Sequence, residues 1–169
     1  MKKNLYQTLI LTRPQIEKLI NLKQAIVAVE EAFQEYAMGR AQMPPKIYLD
    51  LKEYGGDLRA MPVYLSGAKS CGIKWVNSHS FNRKYGLPAV MAVFILNDPR
   101  TGFPLSIMDA TYLTALRTSA GSAVATKYLA RRNSSVVSLV GCGIQAQYQI
   151  QALRQVMSIK DVRVWGFQE

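Results

Sequence analysis

Histidine occurs once, at His79, and cysteine twice among the 169 residues. Cys71 and Cys142 make neither a CxxC pair nor a Cys/His metal spacing, which argues against a zinc site, and one histidine leaves little room for a Ser-His triad. So few thiols suit a reducing compartment. Long apolar runs are missing too. The longest, Gly86 to Leu96, falls short of the roughly 18–20 residues of a membrane span and contains Pro88. The start, MKKNLYQTLILTRP, has the basic end of a signal peptide. Its apolar part is broken by Gln7 and closed by Arg13 and Pro14, with no small-residue cleavage site. A cytoplasmic protein without a membrane partner is expected. Acidic residues are scarce: 11 Asp and Glu face 21 Lys and Arg, a net charge of +10. The bases are scattered, with short doublets at Lys2-Lys3, Arg83-Lys84 and Arg131-Arg132. The excess therefore reads as a solvated surface plus a site for a small anion, not as a nucleic-acid interface.

At 49% hydrophobic and 19% charged, the chain can bury a core, and its length suits one domain plus the beginning of another. Thr12 opens a helix through a capping box with Gln15, Pro14 fitting the first turn. A second helix from about Lys23 carries Ile26, Val29 and Phe33 at helical spacing, and Gly39 ends it as a left-handed cap. Short β-like runs follow at Lys46–Leu51, Ala60–Leu65, Gly72–Asn77, Ala89–Asn97 and Pro104–Met108, the last two joined by a hairpin turn at Asn97–Gly102. Asp109 or Thr111 caps a helix running to about Ala130 and rich in small residues. Val136–Val140 is a continuous apolar strand of the kind buried on both faces of a parallel sheet. A glycine turn, a helix to about Met157 and a strand Val162–Phe167 complete one β-α-β unit.

Two groups of residues can carry chemistry. Gly141-x-Gly143-x-x-Ala146 fits the dinucleotide fingerprint between a strand and a helix: Gly141 for the tight turn, Gly143 for backbone approach to a pyrophosphate, Ala146 for helix packing. A tight turn without ligand is the bland alternative. The acid expected about 20 residues on has Glu169 as its best-placed candidate. The second group is Lys46, Arg59, Lys74 and Arg117. Lys74 lies in a mostly apolar strand, and Arg117 in a helix that reads as packed. Each could snorkel to the surface; together they suggest a carboxylate pocket, since Arg offers a planar fork and Lys a point charge. A desolvated lysine also gains the pKa that proton transfer needs.

Arg59-Ala-Met-Pro62, Gly72-Ile-Lys-Trp-Val-Asn-Ser78, Gly86-Leu-Pro-Ala-Val90, Leu96-Asn-Asp-Pro-Arg-Thr-Gly102, Ser106-Ile-Met-Asp-Ala-Thr111, Leu113-Thr-Ala-Leu-Arg-Thr118 and Gly141-Cys-Gly-Ile-Gln-Ala146 resemble, in order, the ornithine cyclodeaminase/mu-crystallin superfamily. Within it they are most similar to the archaeal-type alanine dehydrogenase branch. The resemblance implies an α/β protein: an N-terminal α+β substrate-binding and dimerisation domain, residues 1–120, then the first β-α-β of a Rossmann NAD-binding domain, residues 121–169. The chain looks like the N-terminal half of a family member. The family's water-activating aspartate and the rest of the nicotinamide pocket lie outside it.

The activity implied is NAD-dependent oxidative deamination of a small L-amino acid, alanine giving pyruvate and ammonia. Ornithine cyclodeamination and non-catalytic binding of the mu-crystallin kind are the alternatives. By the same resemblance, Lys46, Arg59, Lys74 and Arg117 surround the substrate carboxylate, and Lys74 also transfers a proton. Thr118, Gly141, Gly143, Gln145 and Ala146 hold NAD, no metal is used, and the N-terminal domain forms a homodimer. Cyclodeaminases carry Arg where this chain has Lys46, which favours the alanine branch. Family members often carry Thr at the position of Ala89.

Overall fold

The computed structural model describes residues 6–166. Its elements run β1 (Leu9–Leu11), α1 (Arg13–Leu19), α2 (Leu22–Ala37), β2 (Ala41–Gln42), β3 (Ile47–Leu51), β4 (Gly56–Leu65), β5 (Ser70–His79), β6 (Ala92–Asn97), β7 (Pro104–Asp109), α3 (Thr111–Leu129), β8 (Val136–Val140), α4 (Ile144–Leu153) and β9 (Asp161–Trp165). This is the expected α/β class. The chain separates into two compact units, one of residues up to Lys18 with Gln34–Tyr112, the other of Leu19–Phe33 with Leu113 onward.

The first unit is built on a seven-stranded sheet in the order β1-β7-β6-β5-β4-β2, with β3 also on β4. Only β1 runs parallel to its neighbour; the other pairs are antiparallel. Alternation sorts its side chains onto two faces. Val76, Ala92 and Ser106 are buried and share a face with Arg59, Lys74 and Phe94 by register. Ile47, Leu49, Trp75 and Val93 occupy the opposite face. Gly72 is required by crowding: a Cβ there would come 2.3 Å from the Ile95 carbonyl and 2.8 Å from the Phe94 ring. The Asn97–Gly102 turn forms as expected. Asp98 accepts the amides of Thr101 and Gly102 through its carbonyl and that of Arg100 through its carboxylate. The bond from the Arg100 amide first, then the Arg100 charge and side-chain bonds from Thr101 and Arg100, draw the Asp98 carboxyl pKa down.

Helix starts show where polar side chains replace missing backbone partners. At Thr12 the box is only half the expected one. Gln15 reaches back to the Thr12 amide at 2.8 Å, but the Thr12 hydroxyl donates to that same Gln15 oxygen and leaves the Gln15 amide alone. The Gln15 amide goes to the Thr12 carbonyl instead. The full reciprocal box stands at Asn21 and Gln24, bonded both ways at 2.9 and 3.0 Å.

In the second unit the small residues of α3 serve packing. Ser119, Ala120 and Ala123 are wholly buried, and a Cβ at Gly121 would stand 4.0 Å from the Phe33 ring of α2. Lys127, near the end of α3, holds Glu30 of α2 at 2.8 Å, and the Tyr128 hydroxyl donates to the same carboxylate. Strands β8 and β9 pair in parallel, from Val136 with Asp161 to Val140 with Trp165. The expectation that Val136–Val140 is buried on both faces is wrong. Val136 and Val140 are 48% and 82% exposed, they alternate with half-covered Val137 and Leu139, and all of β9 is exposed. A parallel strand is enclosed only when helices cover both faces and strands flank it. Among the described residues β9 is the only strand beside β8.

Candidate active site

The β4–β5 register places the predicted cations of the first unit. Tyr48 of β3 faces Arg59, which faces Val76. One step along, Met61 faces Lys74, which faces Phe94. Arg59 and Lys74 are therefore diagonal neighbours on one face, a spacing of roughly 7–8 Å at which long side chains act together. Lys46 immediately precedes β3 and is exposed. So three of the four predicted cations belong to the first unit, two of them diagonal neighbours on one sheet face.

Arg59 is not an open fork. Its Nε and Nη2 donate to the two oxygens of Asp57 at 2.6 and 2.7 Å, and its guanidinium lies 5.2 Å from the Tyr48 ring centre. Asp57 and Arg59 are two residues apart, so strand alternation puts both on the same face. The hydrogen bonds from Arg59 hold the Asp57 carboxyl below its ordinary pKa, and Asp57 raises that of Arg59 in return. Residue-by-residue reading missed Asp57; the charged-apolar-charged alternation Asp57-Leu58-Arg59 within a strand was the available signal. His79, the single histidine, has a structural setting. The buried Asn77 accepts the Met91 amide at 2.7 Å, which makes its Nδ2 the donor toward His79 Nδ1 at 3.1 Å. Gly56 opposite His79 has no Cβ to strike the imidazole, whose nearest ring atom would lie 2.4 Å away. The Ala89 carbonyl receives the His79 amide.

The second unit holds the other half of the predicted set. Arg117 keeps some open surface. The protein around its guanidinium nevertheless disfavours the charge by desolvation and lowers its pKa from the ordinary value. The Thr118 hydroxyl is spent within α3, donating to the Thr114 carbonyl at 2.7 Å. The glycine turn has the geometry its sequence requires. Gly141 adopts φ +100°, which only glycine takes without strain, while its amide continues the ladder to the Trp165 carbonyl at 2.7 Å. Gly143 precedes α4 with extended backbone, and no side chain caps that helix. Space beside both glycines is open to 4 Å. Ala146 donates its amide to the Gly143 carbonyl, and Gln145 Oε1 is buried with no hydrogen-bond partner. Uncapped amides at the start of α4 and an open backbone beside both glycines form a cradle that fits a dinucleotide pyrophosphate. Glu169, the expected ribose contact, lies outside the described residues. Also among the described residues, no group of His, Cys, Asp and Glu could hold a metal ion, and no helix is long and apolar enough to cross a membrane.

A mixed sheet bearing a cation cluster, followed by a strand, glycine turn and helix, defines an α/β protein of the class that opens a Rossmann dinucleotide-binding domain. The chain belongs to the ornithine cyclodeaminase/mu-crystallin family, whose pattern matches residues 6–169. It is 56% identical over 163 residues to the alanine dehydrogenase of Archaeoglobus fulgidus, a match covering 96% of this chain and 49% of that enzyme. An archaeal alanine dehydrogenase dimer with bound NAD superposes with a TM-score of 0.89 at 56% identity, over 94% of this chain and 48% of the other. The Thermococcus litoralis Δ1-pyrroline-2-carboxylate reductase, solved with NADH and L-proline, gives 0.92 at 40% identity, over 95% and 50%. The chain thus spans about half the length of these relatives.

Proposed function

We propose that this chain carries the substrate-gripping sheet and the opening of the NAD site of a homodimeric, cytoplasmic enzyme that oxidatively deaminates a small L-amino acid, alanine to pyruvate and ammonia, reversibly. The observation that carries the reading is the placement of Arg59 and Lys74 side by side on one sheet face; the 56% identity to an alanine dehydrogenase supports the choice of substrate. Lys46 and Lys74 bind the substrate carboxylate as point charges, and Arg59, its plane set by Asp57, borders the same face. Fixing the carboxylate between cations on separate strands orients the α-carbon and its hydrogen. For the proton that the amine loses, Lys74 acts in its uncharged form, becoming the ammonium that grips the carboxylate once it has taken that proton. In the second unit Arg117 offers a partly dehydrated cation, and Gly141, Gly143, Gln145 and Ala146 line the NAD site, the open backbone at Gly143 facing the pyrophosphate. NAD, when bound, supplies the hydride acceptor.

The dimer rests on the other sheet face. Ile47, Leu49, Trp75 and Val93 lie there by register and are 67, 53, 43 and 43% exposed, an apolar stripe of the kind that marks an interface. The test of the activity is direct. Alanine with NAD produces NADH absorbance, and Lys74→Met removes that turnover while leaving NADH binding intact. Ornithine converted to proline without net NADH, or NADH oxidised by pyrroline-2-carboxylate but not by pyruvate with ammonia, reassigns the substrate. Full activity in Lys74→Met removes the lysine from the mechanism.

A further inference from the structure

A second concentration of positive charge lies in the second unit. The segment that follows α3 and the turn between α4 and β9 enclose a cavity of about 530 Å³, well inside the range of roughly 300–1,000 Å³ typical of small-molecule sites. Lys127 comes from the last turn of α3, Arg131 and Arg132 from the segment after it, and Lys160 from the turn before β9. Ser134, Ser135 and Ser158 add hydroxyls, and none of the lining residues is acidic. Lys127 is already engaged by Glu30. The carboxylate next in sequence, Asp161, is taken by Arg163 at 3.1 Å. Arg131, Arg132 and Lys160 are exposed and make no ion pair with an acidic residue among the described residues.

Cations after a helix C-terminus have an ordinary explanation, since they complement its negative end. That covers Lys127 and Arg131. It does not explain Lys160, which reaches the same cavity from a different segment, its backbone fixed by the Lys160 amide bond to the Ser135 carbonyl at 2.8 Å. The location also separates this cavity from the glycine turn. Ser135 precedes β8 and Gly141 follows it, so a five-residue strand at about 3.3 Å per residue puts some 17 Å between them. Dinucleotides bind at the carboxyl end of such strands; the cavity is at the amino end.

We propose that this cavity is a binding site for a compact, multiply charged phosphate compound, of the size and charge of inorganic pyrophosphate or the phosphate tail of a nucleotide. Three cations without acidic partners call for more negative charge than one carboxylate carries. Hydroxyls and guanidinium forks match the several acceptor oxygens of a phosphate. The site is independent of the dinucleotide turn and of whatever substrate the sheet face takes.

The experiment titrates inorganic pyrophosphate into the protein at low salt by calorimetry, for the native sequence, for Arg131→Gln/Arg132→Gln/Lys160→Gln, and for Gly143→Val. Thermal unfolding without ligand checks that each variant is folded; these three basic residues are exposed, so the triple variant melts with the native sequence. The expected result is one site weakened at least about tenfold in the triple variant and unchanged in Gly143→Val, while binding of NADH, whose diphosphate is esterified at both ends, shows the reverse pattern. Pyrophosphate affinity unchanged in the triple variant, or lost in Gly143→Val, overturns the proposal. So does tighter binding of a short DNA duplex through the same three residues with steep salt dependence, which makes the cavity part of a nucleic-acid surface.

Discussion

The two sheets of this chain treat similar apolar strands in opposite ways. In the first, β5 lies between β4 and β6; Val76 is 6% exposed, and even Lys74 is half-buried. In the second, β8 is more uniformly apolar than β5, yet Val140 is 82% exposed. Side-chain polarity does not decide burial here; the number of flanking strands and covering helices does. The same contrast separates the cations of the first unit from the glycine turn of the second. The cations sit on a sheet bonded on both sides, whereas the glycine turn hangs from a two-stranded ladder whose last bond is made by Gly141 itself.

The contrast in enclosure predicts unequal local stability. Amide exchange is the widest test. Protons of β5 exchange about a thousandfold more slowly than those of β9, a difference of roughly 4 kcal/mol in opening free energy; equal protection in the two strands would show that β8 and β9 are enclosed after all. Truncation at the core comes next. Ile16→Ala in α1, where Ile16 is buried, costs about 3 kcal/mol, while Val164→Ala on exposed β9 stays within about 0.5 kcal/mol, both read from urea midpoints. A smaller loss follows from crowding: Gly72→Ala costs about 1–3 kcal/mol because its Cβ meets the Ile95 carbonyl, whereas Gly143→Ala, with open space around it, leaves the unfolding midpoint unchanged.

Acid titration gives the gentlest effect. Asp57 and Glu35 have folded pKa values below their ordinary ones, first through hydrogen bonds from Arg59 and Arg40 respectively. The unfolded chain therefore binds protons at higher pH than the folded one. The stability these pairs contribute is fully present above about pH 5 and drains away as pH falls through the usual carboxylate range near 4 and below. Asp57→Asn and Glu35→Gln flatten that part of the stability-versus-pH curve; an unchanged slope in both shows that neither ion pair forms in solution.

Patterns that are local in sequence were readable in advance. The glycine turn, the Asn97–Gly102 hairpin and the end of α2 at Gly39, with φ +70°, each follow from a few adjacent residues whose chemistry permits one conformation. The alternation of β4 and β5 likewise places Arg59 and Lys74 on one face once the strands are paired. What escaped is non-local or needs a partner. The three residues of β1 are a strand only because β7 lies parallel to them, nearly a hundred positions away, and β2 is two residues held by the far end of β4. The exposure of β8 depends on neighbours that its own sequence does not encode. The Asn21–Gln24 box and the Asp57–Arg59 pair were local and still missed, because attention to apolar periodicity passes over short polar spacings.

The bond between the Gly141 amide and the Trp165 carbonyl also sets an order of events during synthesis. A nascent chain that has emerged only as far as α4 has the glycines but not the rung that steadies them. The rung beside the glycine turn therefore closes only after the ribosome has delivered the end of β9.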